Sequence, residues 1–345
     1  MSETMAIANK NPTRLTQFVH NTERYAAVVI IDVILFIVFS TTLSGFLSVA
    51  NISNLLTGSA VLWVVSLGMT LVVISAGIDL TVASQMGLSG YMLGTLLLGG
   101  MNSWLAIIVM LIFSAVCGAV VNGFLIGKAG LNFFVVTLGS MTAFTGIVNI
   151  WSGTQTLAVN DPVVSAIGYG QFVGIPITIW VMIATFFIAL YIQRWTYYGR
   201  DVYAVGGSIE AARLSGIRTS RTLVGVYTIS AVCAGIAALI ELGQLGAASP
   251  RVTLVLPLQA AAAVLLGGTA FTGGVGGVIG TAAGVLFIGV LQNGLGLAGV
   301  SSYWQQVVTG IILVLAVGLE PTRRKIGDIR HRRRLSIYDP DSSST

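Results

Sequence analysis

Long apolar runs separated by short polar breaks recur along the whole chain. They fall at 25–43, 53–76, 82–100, 103–126, 132–151, 175–193, 222–245, 257–271, 275–297 and 303–319. A bilayer's hydrocarbon core is about 30 Å thick, and a helix of about 20 apolar residues crosses it. The pattern therefore predicts about ten transmembrane helices. The run at 257–271 is short enough to be a broken or re-entrant segment, which leaves eight or nine as alternatives. Unpaired backbone groups are expensive in lipid, so the spans should be helices, and the expected class is an all-α polytopic integral membrane protein with some helices broken. The polar head before the first run is long for a signal peptide, and Ser48-Val49-Ala50 is only a weak cleavage pattern, so the first span reads as retained.

Composition supports lipid as the solvent. Of 345 residues 55% are hydrophobic and 8% charged, with a mean hydropathy of +0.91. An average soluble domain has roughly 25% charge, so an ordinary soluble enzyme is excluded.

The placement of the few charges decides more than their number. Fifteen of the 17 Lys and Arg residues lie in three segments: the head at 1–24, the stretch 194–221 and the tail at 320–345. Basic residues retained beside spans mark the cytoplasmic side. Alternation over ten spans puts both termini and 194–221 inside, with Lys128 agreeing and Arg251 the single exception. The domain plan is then a cytoplasmic head (1–24), a transmembrane domain (25–319) carrying a cytoplasmic loop (194–221), and a basic tail (320–345). The tail suits membrane lipid head groups or a cytoplasmic partner; nucleic acid is not expected as a partner.

Catalytic chemistry finds little support. Cys117 and Cys233 lie in apolar runs, and His20 and His331 in the polar ends, so no metal cluster, disulfide framework or nucleophile-base pair is expected. Four places remain informative. The first is GIDLTVAS, Gly77 to Ser84, where Asp79 either caps the helix beginning near Thr81 or lines a cavity. The second is Leu266 to Gly280, with seven glycines; it lacks the Lys and hydroxyl of a phosphate-binding loop, and reads either as close helix packing or as a broken helix on a permeation path. Its resemblance to residues 62–100 suggests a parallel internal repeat. The third is Thr196 to Arg221, where Glu210, Ala211, Ala212 and Arg213 compose a short helix outside the bilayer with Gly216 as its stop. The fourth is the intramembrane polar set Asp32, Asn122, Asn149, Glu241, Gln292 and Asn293, in which the amides read as interhelical glue; the two acids remain open between protonation, hydrogen bonding and an interfacial position.

With these residues in view, GIDLTVAS, NGFLIGKAGLNFFVVTLGSMT, GRDVYAVGGSIEAARLSGI and the segment from Leu258 to Leu295 together resemble the permease subunit of bacterial ABC importers of the ribose, xylose and arabinose type. The resemblance covers about residues 50–320. It implies a bacterial inner-membrane subunit that dimerises with a second copy or a paralogue. A separate ATPase, which holds the ATP and Mg, drives it, and an extracytoplasmic solute-binding protein feeds it; no cofactor is expected on this chain. Within it Glu210, Ala211, Ala212 and Gly216 match the family's E-A-A-x-x-x-G loop, whose helix docks on the ATPase, with Arg213 beside them. Asp79, Thr81, Gly267, Gly268 and Thr269 become the candidates for lining or shaping the pathway of a small, neutral, hydroxyl-rich solute, a sugar by expectation. One departure stands out: relatives commonly carry Glu-Leu-Asp where this chain has Pro257, Leu258 and Gln259. The competing expectation is an ion-coupled secondary transporter using Asp79 or Glu241. A membrane-embedded enzyme lacks any suitable residue constellation.

Overall fold

The computed structural model describes residues 14–251, 255–312, 314, 315 and 318. The basic tail 320–345 and most of the head 1–24 lie outside the described residues. Twelve helices are bounded: α1 (Arg14–Thr42), α2 (Val49–Ile74), α3 (Val82–Leu98), α4 (Ser103–Cys117), α5 (Phe133–Ser152), α6 (Pro162–Tyr169), α7 (Ile177–Trp195), α8 (Tyr197–Gly207), α9 (Ile209–Leu214), α10 (Thr219–Leu245), α11 (Val255–Leu266) and α12 (Val278–Leu297). A π-helix, Gly118–Lys128, continues α4, and residues 302–312 are helical. Among the described residues, six helical segments are long and apolar enough to cross a membrane, namely α2, α4 with its π continuation, α5, α7, α10 and α12. Ala26–Thr42, α3 and α11 are shorter apolar helices. The fold is all-α and polytopic.

Two of the six, α2 and α10, are apolar on every face, which is the pattern of a helix enclosed by others. Val64, Met69, Val72, Val73 and Ile74 of α2 are fully buried, as are Val226, Ala234, Ala237 and Ile240 of α10. The rest of the bundle packs around this pair. Helices α4, α5 and α7 turn Ile108, Ile112, Val135, Ile150, Phe187 and Ile188 outward, an apolar exterior that suits lipid and not water.

Small residues allow the backbones to approach. A methyl on Gly68 would lie 3.0 Å from both the Cα of Ser230 and the Cβ of Cys233, so the bare glycine lets α2 come close to α10 at that point. The π segment serves the same contact. Gly118, Gly123 and Gly127 all face the α10 backbone at Tyr227, Val224 and Ser220. Their spacing of five and four residues suits a helix whose turn closes at i+5; an α-helix would turn them to different faces. The sequence reading took 103–126 as one ordinary helix.

Two ends of the bundle can be told apart. At one, the Asn51 and Asn293 amides exchange hydrogen bonds of 2.9 and 3.0 Å between α2 and α12, and β1 (Leu157–Ala158) pairs antiparallel with β4 (Ala247–Ala248). Helix α6 and a small hairpin of β2 (Gln171–Phe172) and β3 (Ile175–Pro176) lie between α5 and α7. At the other end, α8 packs on α2, α7 and α10, and α9 on α8 and the start of α10. Both predicted helix breaks are present, at 75–81 and 267–277, and both lie at the α8–α9 end. The helices flanking them are 26 and 17 residues long at the first break, but 12 and 20 at the second.

Candidate functional site

The first break begins with a helix stop. Gly77 N–H bonds to Val72 O at 3.0 Å and Ala76 N–H to Val73 O at 2.9 Å, the paired bonds of a Schellman end, with Ala76 in the left-handed region at φ +64°. The chain then reverses and α3 starts. Asp79 Oδ1 accepts the Thr81 N–H at 3.0 Å and the Thr81 hydroxyl, while Oδ2 accepts the Ser230 hydroxyl of α10 at 2.7 Å. The Asn122 amide of the π segment donates to Thr81 Oγ1 at 2.8 Å. Asp79 and Thr81 are 1% and 2% exposed. Asp79 does not cap α3 directly, since Thr81 is the N-cap residue; its carboxylate takes the Thr81 N–H just ahead of the helix and ties that helix start to α10. In this conformation Asp79 and Thr81 shape the break from within.

The second break uses the same device. Gly268, at φ +84°, gives its N–H to Leu265 O at 2.9 Å, and Thr269 gives its own to Val264 O at 3.2 Å. Gly267 lies against Gly280, where a methyl would meet the Gly280 carbonyl oxygen at 2.3 Å. Thr269, buried, accepts the Gly277 N–H at 3.3 Å. Gly267, Gly268 and Thr269 thus stop α11, pack it on α12 and close the connecting loop. The two breaks touch: Gly274 N–H bonds to Ile74 O at 2.8 Å.

Helix α9 is short, capped at both ends and mostly exposed. Ser208 Oγ accepts the Ala211 N–H at 3.2 Å, a side-chain N-cap. At the other end Gly216, at φ +83°, bonds to Arg213 O and Ile217 to Ala212 O, both at 3.0 Å, so Gly216 is the stop foreseen from the sequence. Ala212 is buried against Val205 and Leu223. Glu210, Ala211 and Arg213 point outward, together with Ile209 and Leu214, which are 52% and 81% exposed. Behind α9, a groove of about 390 Å³ is lined by Tyr198, Asp201, Gly216, Arg218, Arg221 and Thr222, among others. Tyr198 donates to Thr222 O at 3.0 Å; burial pushes its phenol above the usual tyrosine range, so it stays a neutral donor that straps α8 to α10.

These elements stand in a chain whose sequence is widely shared. A family model described as branched-chain amino acid transport system / permease component matches residues 51–317. The chain belongs to this family. It is 34% identical over 288 residues to the ribose import permease protein of Escherichia coli strain K12, covering 82% of this chain and 89% of that protein. It is 38% identical to the ribose import permease protein of Bacillus subtilis strain 168, covering 83% and 89%. The xylose transport system permease protein of Escherichia coli strain K12 is 32% identical, covering 86% and 91%. No solved structure matches. The chain is a permease component, a transport subunit and not an enzyme.

For this permease the sequence reading missed several residues that hold the site together. Ser230 completes the Asp79 cluster, and Asn51 pairs with Asn293. Gln193, Tyr203 and Gly206 bind α7, α8 and the second break. A Gln closing an apolar run beside Arg194 was the available signal for the first of these three. Among the other intramembrane polar groups, Asn122 is interhelical glue as expected. Glu241 is partly buried on α10, and Asp32 on α1 has a buried Oδ1 with no hydrogen-bond partner among the described residues.

Proposed function

We propose that this chain is the membrane subunit of an ABC importer that brings a small neutral polyhydroxylated solute, a sugar, into the bacterial cytoplasm across the inner membrane. The relatives named for ribose and xylose support the substrate class. The scarcity of charge in the spans supports a neutral solute. The alternation of basic segments supports ten passes, with both termini and 194–221 cytoplasmic. In this reading the basic tail 320–345 lies against anionic lipid. Energy comes from a separate ATPase that carries ATP and Mg, and solute from an extracytoplasmic binding protein.

The observation that carries this reading is α9. A capped helix that presents Glu210, Ala211, Arg213 and Leu214 outward, at the end where both helix breaks meet, fits a motor that this chain lacks. Asp79, Thr81, Gly267, Gly268 and Thr269 act as the hinge of the pathway, opening and closing it by movement of the breaks they stabilise. A second permease, another copy or a paralogue, covers the groove of about 660 Å³ along α5 at Phe134, Val135, Leu138, Gly139, Thr142 and Ala143; small residues there admit a close helix. The test is purification of the tagged chain from its native host. A P-loop ATPase accompanies the parent chain and is lost from Glu210→Lys, while membrane insertion is unchanged. An ATPase retained by Glu210→Lys refutes the docking assignment.

A further inference from the structure

Helix α12 starts without a cap of its own. Its N-cap is Gly277, and the first N–H is taken instead by a side chain from another helix, with Gln193 Oε1 of α7 accepting from Val278 N–H at 2.8 Å. A methyl on Gly277 would lie 2.5 Å from Gln193 Nε2, so glycine there is what admits the amide. The same amide is held from the other side by α8. Gln193 Nε2 donates to the Tyr203 hydroxyl at 2.5 Å, and that hydroxyl donates to Gly276 O at 2.6 Å. Tyr203 therefore grips the second break twice, directly at Gly276 and through Gln193 at Val278.

One helical turn further along, α8 touches the first break. A methyl on Gly206 would lie 1.8 Å from the Ile74 carbonyl oxygen and 2.6 Å from Gly274 N. That carbonyl is the one that accepts the Gly274 N–H. The backbones of α8, of the end of α2 and of the second break thus meet with no side chain between them. Only Ser208 separates α8 from α9. A packed, hydrogen-bonded contact of this kind transmits displacement, because interiors are close-packed and change between discrete arrangements.

We infer that Tyr203 and Gly206 form a clamp by which displacement of α9 is delivered to both helix breaks at once, Tyr203 acting as a positioning residue through Gln193 and Gly276. The inference rests on the docking of α9 proposed above. Neither residue belongs to the docking surface, so removing the clamp leaves the motor attached and turning while the breaks stay still.

The test uses the whole complex in lipid nanodiscs, with spin labels at Leu98→Cys and Leu297→Cys, the far ends of α3 and α12. Pulsed distance measurement compares the nucleotide-free complex with the complex trapped by ATP and vanadate. The parent shows a distance shift on trapping. Tyr203→Phe removes a single oxygen, and Gly206→Ala drives a methyl against Ile74; in each the population at the shifted distance falls by about fivefold or more, the loss expected when a coupling of a few hydrogen bonds is removed. ATPase co-purification and ATP hydrolysis stay at parent levels. A merely structural role would lower the yield of folded complex without changing the shift per complex. A full shift in both variants overturns the inference, as does a parent that does not move, or loss of the ATPase from Tyr203→Phe. Failure of the docking reading is distinct from all of these, because no complex with the parent would form.

Discussion

Replacing Asp79 separates a structural carboxylate from a functional charge. In Asp79→Ala the Thr81 N–H loses its acceptor at a site 1% exposed, and the Ser230 hydroxyl loses its partner across the interface between α10 and the first break. An orphaned buried donor costs about 1–3 kcal/mol. The Ser230 hydroxyl can turn to a backbone carbonyl one turn earlier in α10, so the loss at Thr81, just ahead of α3, dominates. With the small void left by the carboxylate, the total is about 2–4 kcal/mol. Asp79→Asn keeps the acceptor for Thr81 and the shape of the group, and Ser230 can turn to accept from the new amide; the cost is under about 1 kcal/mol. At about 1.4 °C per kcal/mol for a chain of 345 residues, from an unfolding entropy of about 2.1 cal/mol/K per residue, thermal unfolding in detergent, followed by the loss of the monodisperse chromatographic peak, should fall by about 3–6 °C for Ala and by under about 1.5 °C for Asn. Uptake should follow the folded fraction in both. Asp79→Asn with parent stability and no uptake would refute this reasoning, since it would make the charge itself part of transport.

Other consequences follow from packing and from the exposed helix. Gly280→Ala places a methyl 1.9 Å from the Gly267 carbonyl oxygen, so it should destabilise by about 1–3 kcal/mol through overpacking, read as a drop in melting temperature; an unchanged value would mean that α11 and α12 lie further apart. Leu214→Asp changes an 81% exposed residue, so it should leave stability within about 0.5 kcal/mol while reducing ATPase retention in pull-down; full retention would remove α9 from the interface. In a double-mutant cycle of Asn51→Ala and Asn293→Ala, the coupling should be about 0.6 kcal/mol, the usual size for interhelical polar pairs in membranes, and a coupling of zero would count against the reciprocal amide contact. Ala76→Gly relieves a left-handed alanine at a helix stop, so it should raise stability by up to about 1 kcal/mol; a lower melting temperature would show that the Ala76 methyl contributes more by packing.

Hydropathy made most of the helices legible. The run predicted at 132–151 became Phe133–Ser152, and that at 222–245 became the larger part of Thr219–Leu245. Both breaks were legible too, because glycines and a polar group interrupt an otherwise continuous apolar pattern. The limits of α11 were missed by several residues: Gly267 and Gly268 stop the helix, while the apolar pattern runs on to Phe271. The π segment left no mark in the hydropathy, since it follows from how three glycines meet another helix. Helix α6 had a readable start in Asp161-Pro162, where the carboxylate accepts from Val163 and Val164, both at 3.0 Å, but its length lies below what a membrane-span pattern detects. In the stretch 196–221 one short helix was expected and two precede α10, divided at Gly207 and Ser208. The candidate site residues lie at the breaks and on α9, with Gly216 just beyond its end. What single-sequence reading could not supply is that these three places converge, because the contacts joining them are mostly backbone atoms and a tyrosine of no apparent distinction.

The central claim is that a motor outside the bilayer drives this permease through α9. The most direct measurement is solute entry into proteoliposomes holding the purified permease with its co-purified ATPase, with the solute-binding protein added outside and ATP sealed inside, before and after an ionophore dissipates the ion gradients. The account predicts uptake that requires ATP, is abolished by Glu210→Lys and is indifferent to the ionophore. Uptake by the permease alone that collapses when the gradients are dissipated would contradict it.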